Sequence, residues 1–169
     1  ENLRANLPLA ARMRPTCLDE FVGQQHLLGE GKLLRRMIDA GRLGSIIFFG
    51  PPGTGKTTLA HLLATETGGQ FRQVSAVSSG VKELREVLQW AKDEIASGGR
   101  RPLLFVDEIH RFSKSQQDAL LPDVEAGIVA MVGATTSNPH FAVNGALLSR
   151  SQLFQLNALT AEDLVQLLK

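Results

Sequence analysis

Gly50-Pro51-Pro52-Gly53-Thr54-Gly55-Lys56-Thr57 decides how this chain is read. It matches the phosphate-loop pattern G-x-x-x-x-G-K-[ST]. The apolar run Ser45-Ile46-Ile47-Phe48-Phe49 before it reads as a buried strand. Residues 56–67 read as a helix, stopped by Gly68-Gly69. Glycines let such a loop turn tightly, so that several N–H groups face one phosphate. The N-terminus of the following helix adds positive potential. Residues Gly50, Pro51, Pro52, Gly53, Thr54, Gly55, Lys56, Thr57 and Thr58 are therefore expected to hold ATP. Lys56 would neutralise the β/γ oxygens, and the Thr57 hydroxyl would coordinate Mg²⁺.

Leu103-Leu104-Phe105-Val106-Asp107-Glu108 supplies the acidic counterpart. Its apolar residues bury a strand and deliver two carboxylates at the C-terminal end, where ligands sit in open α/β sheets. Asp107 is expected to hold Mg²⁺ through its water shell. Glu108 is expected to orient and polarise the attacking water, because positioning and electrostatics dominate phosphoryl transfer. Past a later strand, Asn138 is a candidate for a hydrogen bond to the γ-phosphate or the water, with Thr136 second; Asn138 before Pro139 is equally a turn signal. Arg150 ends a short helical segment and could reach a neighbouring subunit's nucleotide as an arginine finger, or be a surface charge. His110 has no partners at metal-ligand spacing and reads as structural. Trp90, Phe112 and the lone Cys17 read as packing residues.

Around these motifs the apolar spacing predicts helices over 24–28, 32–40, 81–96, 114–124 and 146–149, with Pro122 kinking or breaking the fourth near its end. Further strands are expected over 71–75, 102–106, 128–134 and 152–156. Thr160 is expected to cap a last helix with Glu162 and Asp163 in its first turn. Strands alternating with helices imply a parallel sheet covered on both faces. The chain has 169 residues, enough for one domain, with 43% hydrophobic and 21% charged residues. No apolar run approaches the roughly 20 residues of a membrane span. The single cysteine allows no internal disulfide and fits a reducing cytosol. A net charge of +1 means that any nucleic acid would be held by local patches. Without an initial Met, the numbering is expected to begin inside a longer protein or at a tag scar.

Several stretches carry a more specific resemblance. They are Pro8-Leu9-Ala10-Ala11-Arg12-Met13-Arg14-Pro15, Val22-Gly23-Gln24-Gln25-His26, Ser79-Gly80-Val81-Lys82-Glu83, Asp107-Glu108-Ile109-His110-Arg111-Phe112, Lys114-Ser115-Gln116-Gln117-Asp118 and Leu147-Leu148-Ser149-Arg150. Together they resemble AAA+ ATPases of the replication-associated recombination protein A family, whose eukaryotic relative is the Werner-helicase-interacting ATPase. The resemblance implies an α/β AAA+ P-loop NTPase fold with a five-stranded parallel sheet, order 5-1-4-3-2, and helices on both faces. It divides the chain into an adenine-pocket segment (1–23), a large ATPase subdomain (24–158) and the start of a helical lid (159–169).

The resemblance also implies DNA-stimulated ATP hydrolysis in replication fork maintenance, recombination and damage tolerance. The implied partners are single-stranded, gapped or forked DNA, single-strand-binding protein and further copies of the chain, as a tetramer. The implied location is the cytoplasm, at the bacterial nucleoid, with no membrane. Arg14, Pro15, Val22 and Gly23 would form the adenine pocket. By similarity to clamp loaders, Arg150 becomes the finger in trans and Asn138 the sensor, and Lys82, Arg85 and Lys114 become candidate DNA contacts. Ser113 and Ser151 depart from the family pattern without threatening the chemistry. Two alternatives stay open: a nucleotide-gated DNA-binding scaffold with slow turnover, and a Holliday-junction branch-migration motor.

Overall fold

Residues that are apolar at every position of a strand need cover on both faces, whereas strands with polar positions can stand at an edge. The computed structural model, which describes residues 8–9, 13–78 and 80–169, sorts its five strands in this way. β1 (Ser45–Phe49), β3 (Leu103–Asp107) and β4 (Ala130–Thr135) are buried almost throughout. β2 (Phe71–Ser75) and β5 (Ser151–Gln155) carry exposed polar residues and lie at the two edges. The sheet is parallel, in the order β2-β3-β4-β1-β5. That is the expected 5-1-4-3-2, counted from the other edge.

Alternation along the central strands divides the core into two layers. Ile46, Phe48, Phe105 and Val132 pack with Leu34, Leu59 and Leu63 on one face. Those helical residues come from α2 (Leu33–Asp39) and α3 (Lys56–Thr67), which follows the short α1 (Gln25–Leu28) in chain order. On the other face Ile47, Val106 and Met131 pack with Leu84 and Leu88 of α4 (Val81–Ala96). Leu120 joins this second layer from the junction between α5 (Lys114–Asp118) and α6 (Leu121–Glu125). Helices therefore cover both faces.

The helix expected over 114–124 is two helices. The break falls at Ala119 and Leu120, before Pro122 rather than at it. Pro122 sits in the first turn of α6, where no N–H is needed and its fixed φ suits a helix start. The strand boundaries shift by one or two residues, so that Asp107 is the last residue of β3 and Thr135 the last of β4. A short helix that the spacing did not suggest, α7 (Pro139–Ala142), precedes α8 (Gly145–Ser149). Single turns of 3₁₀ helix occupy Leu18–Glu20 and Ile109–Arg111. The last helix, α9 (Ala161–Leu168), starts as expected. Thr160 Oγ1 accepts from Asp163 N, and Asp163 Oδ2 accepts from Thr160 N. Ser113 and Gln116 form the same reciprocal cap on α5. Of the family-like stretches, residues 10–12 and Ser79 lie outside the described residues.

Candidate nucleotide site

The loop at the end of β1 is built around two glycines. A Cβ on Gly50 would stand 2.2 Å from the Leu156 carbonyl oxygen. No larger residue fits there without displacing the chain that leaves β5. Gly55, at φ 94°, ends the loop in the left-handed region and caps α3. Thr54 Oγ1 donates to the Pro51 carbonyl at 3.0 Å. The Lys56 ammonium folds over the loop, donating to the carbonyls of Gly50 (2.9 Å) and Pro51 (2.7 Å). Burial pushes its pKa below the usual lysine range, and the opposite charge of Asp107 works against that shift.

All five strands run in one direction, and β4 lies between β1 and β3. The loops after these three strands therefore converge at the C-terminal end of the sheet. They enclose a cleft of about 310 Å³ lined by residues 52–58, Asp107, Glu108, Ala134, Thr135 and Thr136. The structure thus brings together Lys56, Thr57, Asp107, Glu108 and the alternative candidate Thr136. Gly50 and Pro51 stand behind the lining and meet Lys56 through their carbonyls. Glu108 has a left-handed backbone (φ 52°, ψ 48°), which is uncommon for a residue with a Cβ. Its carboxylate pairs with Arg111 Nε at 3.3 Å.

The donors in this cleft suit a hard cation that keeps part of its water shell. Among the described residues no group of three or more His, Cys, Asp or Glu could cage a metal. The Thr57 hydroxyl and the Asp107 carboxylate are among the oxygen donors of the cleft, with Glu108 beside them. Mg²⁺ is usually held in this way, by one or two protein oxygens together with waters and phosphates.

Beside it lies a more apolar cleft of about 420 Å³, whose lining includes Arg14, Pro15, Phe21, Val22, Thr58 and Leu159. Three of the four residues expected around adenine, Arg14, Pro15 and Val22, face it. Gly23 lies against Leu159 instead, with room for no Cβ (2.9 Å). Gln24 is a site residue that the sequence reading missed. Its carboxamide is buried, donating to the carbonyls of Asn157 (2.7 Å) and Thr54 (3.3 Å) and accepting from Asn157 N (2.9 Å). It joins the N-terminal segment to the phosphate loop and to the chain leaving β5.

Asn138 and Arg150 do not line either cleft. Asn138 caps α7, its Oδ1 accepting from His140 N at 3.0 Å. Arg150 is exposed and pairs with Glu125 Oε1 at 2.8 Å, and it also donates to the Ala146 carbonyl. His110 has the structural place expected of it, with Nδ1 2.8 Å from the buried Thr135 hydroxyl. Thr135 Oγ1 also accepts from Ser137 N. Phe112 is core, and Trp90 packs at the core margin with the Arg72 guanidinium 4.4 Å above its ring. Cys17 is half-buried with a free thiol. Lys82, Arg85 and Lys114 are exposed near the starts of α4 and α5, past the ends of β2 and β3. No helix among the described residues is long and apolar enough to cross a membrane.

A phosphate loop between the inner strand β1 and α3, with an acidic pair at the end of β3 two strands away, defines a AAA+ P-loop NTPase fold. Residues 13–144 match the model of the Holliday junction DNA helicase RuvB P-loop domain, and the chain belongs to that family. It is 53% identical over 162 residues to replication-associated recombination protein A of Haemophilus influenzae, covering 96% of this chain and 36% of that protein. It is 46% identical over 162 residues to the ATPase WRNIP1 of Dictyostelium discoideum, covering 96% and 18%. These relatives bear out the resemblance found in the sequence. Among solved structures, the RuvB Holliday junction branch migration motor of Thermotoga maritima superposes with a TM-score of 0.71 at 30% identity, covering 93% of this chain and 53% of that one. The chain thus spans about a third of the bacterial recombination protein it matches.

Proposed function

We propose that this chain binds ATP with Mg²⁺ and hydrolyses it, as the nucleotide-handling core of a AAA+ ATPase acting on DNA in recombination and replication fork maintenance. The observation that carries the reading is the convergence of residues 52–58, Asp107 and Glu108 on one cleft. In this reading the loop N–H groups and Lys56 hold the phosphates, with Gly50 and Pro51 shaping the turn. Thr57 and Asp107 hold Mg²⁺, which when bound offsets charge on the β/γ oxygens. Glu108 leaves its pairing with Arg111 to orient the attacking water. Arg14, Pro15 and Val22 hold the base in the adjoining apolar cleft, with Gly23 behind them. Thr136, which lines the cleft, or Asn138, which would have to turn from its cap, contacts the γ-phosphate. Arg150 serves a neighbouring copy.

DNA stimulation, contacts through Lys82, Arg85 and Lys114, a homo-oligomer (a tetramer in this reading), single-strand-binding protein as partner and a place at the nucleoid belong to the same proposal. They draw on relatives named for replication and recombination. The division into residues 1–23, 24–158 and 159–169 is also part of it, with α9 opening the lid.

The test is Glu108→Gln. We expect nucleotide affinity to be retained and turnover on single-stranded, gapped and forked DNA to be lost. If the variant kept its turnover, Glu108 would not be the water-orienting group. If it bound DNA and supported forks without turnover, the nucleotide-gated scaffold would replace the enzyme reading. The structural likeness to a branch migration motor supports a second reading. The higher identity to the recombination protein favours the first. Junction migration driven by the protein would reverse that preference.

A further inference from the structure

Lys114-Ser115-Gln116-Gln117-Asp118 is the most distinctive stretch of the sequence, yet none of it lines the nucleotide clefts. Gln117 is the buried member of this polar stretch, being only 2% exposed. Its Nε2 donates toward the carbonyls of Phe112 (3.2 Å) and Ala142 (3.1 Å), with Ile109 O farther away at 3.4 Å. Its Oε1 accepts from Asn144 N at 2.6 Å. The orientation of the amide is fixed by these partners, since carbonyls lie on one side and an N–H on the other.

These bonds join two segments far apart in sequence. Ile109 and Phe112 belong to the turn that follows Glu108. Ala142 and Asn144 lie between Asn138 and Arg150. Two further contacts run along the same line. Asn144 Nδ2 donates to Asp118 Oδ1, next to Gln117. Glu125, on the helix after α5, holds Arg150. A carboxamide suits this place because it is neutral and both donates and accepts. A buried network with every member satisfied moves as one body, and a missing member leaves unpaired groups on both segments.

We propose that Gln117 is a positioning residue that couples the Glu108 turn to the Asn138–Arg150 segment. A change at the γ-phosphate position in one subunit then shifts the arginine presented to the next. This rests on the roles given above to Glu108 and Arg150.

The test records amide resonances of the chain with Mg²⁺ and a slowly hydrolysed ATP analogue, unmodified and as Gln117→Met. In the unmodified chain, binding should shift residues 109–112 and 142–150 together. In Gln117→Met the analogue should bind with unchanged affinity and shift 109–112, while the shift at 142–150 is lost. In the assembled protein kcat should fall roughly 10²-fold, the size of effect that an ångström of misplacement produces, while KM for ATP holds. Persistent shifts at 142–150 in Gln117→Met, or none there in the unmodified chain despite binding, would overturn the proposal alone. Failure of the unmodified chain to bind the analogue would overturn the functional reading beneath it as well. Should Gln117→Met not fold, hydrogen exchange on the unmodified chain decides. The Asn144 amide should change its protection on analogue binding together with Arg111 and Phe112, and an unchanged Asn144 overturns the coupling.

Discussion

His61 shows how a single residue's surroundings reach into the stability of the fold. Its ring stacks on Phe71 with centroids 3.8 Å apart. Burial, and secondly the positive charge of Arg14, hold its pKa below the usual histidine value of 6.5. The folded chain therefore resists protonation of His61 while the unfolded chain accepts it. As pH falls through the unfolded value the unfolded state binds more protons, and stability declines until pH passes below the folded value. We expect the urea midpoint to drop as pH falls through about 6.5, and His61→Phe to remove part of that drop. An equal slope in both proteins would refute the assignment. At this scale Lys56, Thr57, Asp107 and Glu108 were legible in the sequence, because each stands in a short motif whose chemistry is local. Asn138 was legible only as a choice between a turn residue and a sensor, and its side chain caps α7.

At the scale of elements, the phosphate loop depends on a residue outside it. Gln24 binds both the loop and the exit from β5, and its backbone is left-handed at φ 59°. Gln24→Asn keeps a residue tolerant of that backbone but shortens the reach by one methylene. We expect it to cost roughly 1–3 kcal/mol in chemical denaturation, because buried carbonyls and an N–H lose their partner. Thr160→Ala, at the exposed cap of α9, should cost about 1 kcal/mol. If the Gln24 change were the milder of the two, the staple would be incidental. The sequence marked Gln24 only as part of a family-like stretch and not as a site residue, since its partner Asn157 stands 133 residues away. The split between α5 and α6 was misplaced for a related reason. Pro122 signals a break from its own chemistry alone, but the break is set by Leu120 turning into the core.

At the scale of the whole molecule, Arg150 lies outside its own nucleotide cleft and is held by Glu125. An arginine so placed acts on a neighbour or not at all. We expect Arg150→Ala to keep nucleotide affinity and to lose turnover by roughly 10³-fold or more, the range of an arginine finger. Mixed oligomers of Arg150→Ala and Glu108→Gln should recover part of the activity, since one kind of interface then carries both intact groups. Activity of the mixture no higher than that of either variant alone would argue against sharing of the site. Exposed ion pairs add little stability, so replacing Glu125 should leave the folding equilibrium nearly unchanged.

The sequence by itself determined the phosphate loop, the acidic strand end, the parallel α/β class and the family, because each is written in contiguous residues with a local physical meaning. Only the tertiary structure decided which residues meet. Strand order sets Asp107 and Glu108 across β4 from Lys56 and places Thr136 rather than Asn138 on the cleft. It also gave Gln24 and Gln117 their buried partners. A carboxamide's role depends on which carbonyls and N–H groups surround it, and those come from distant segments that pack together only when the sheet has formed.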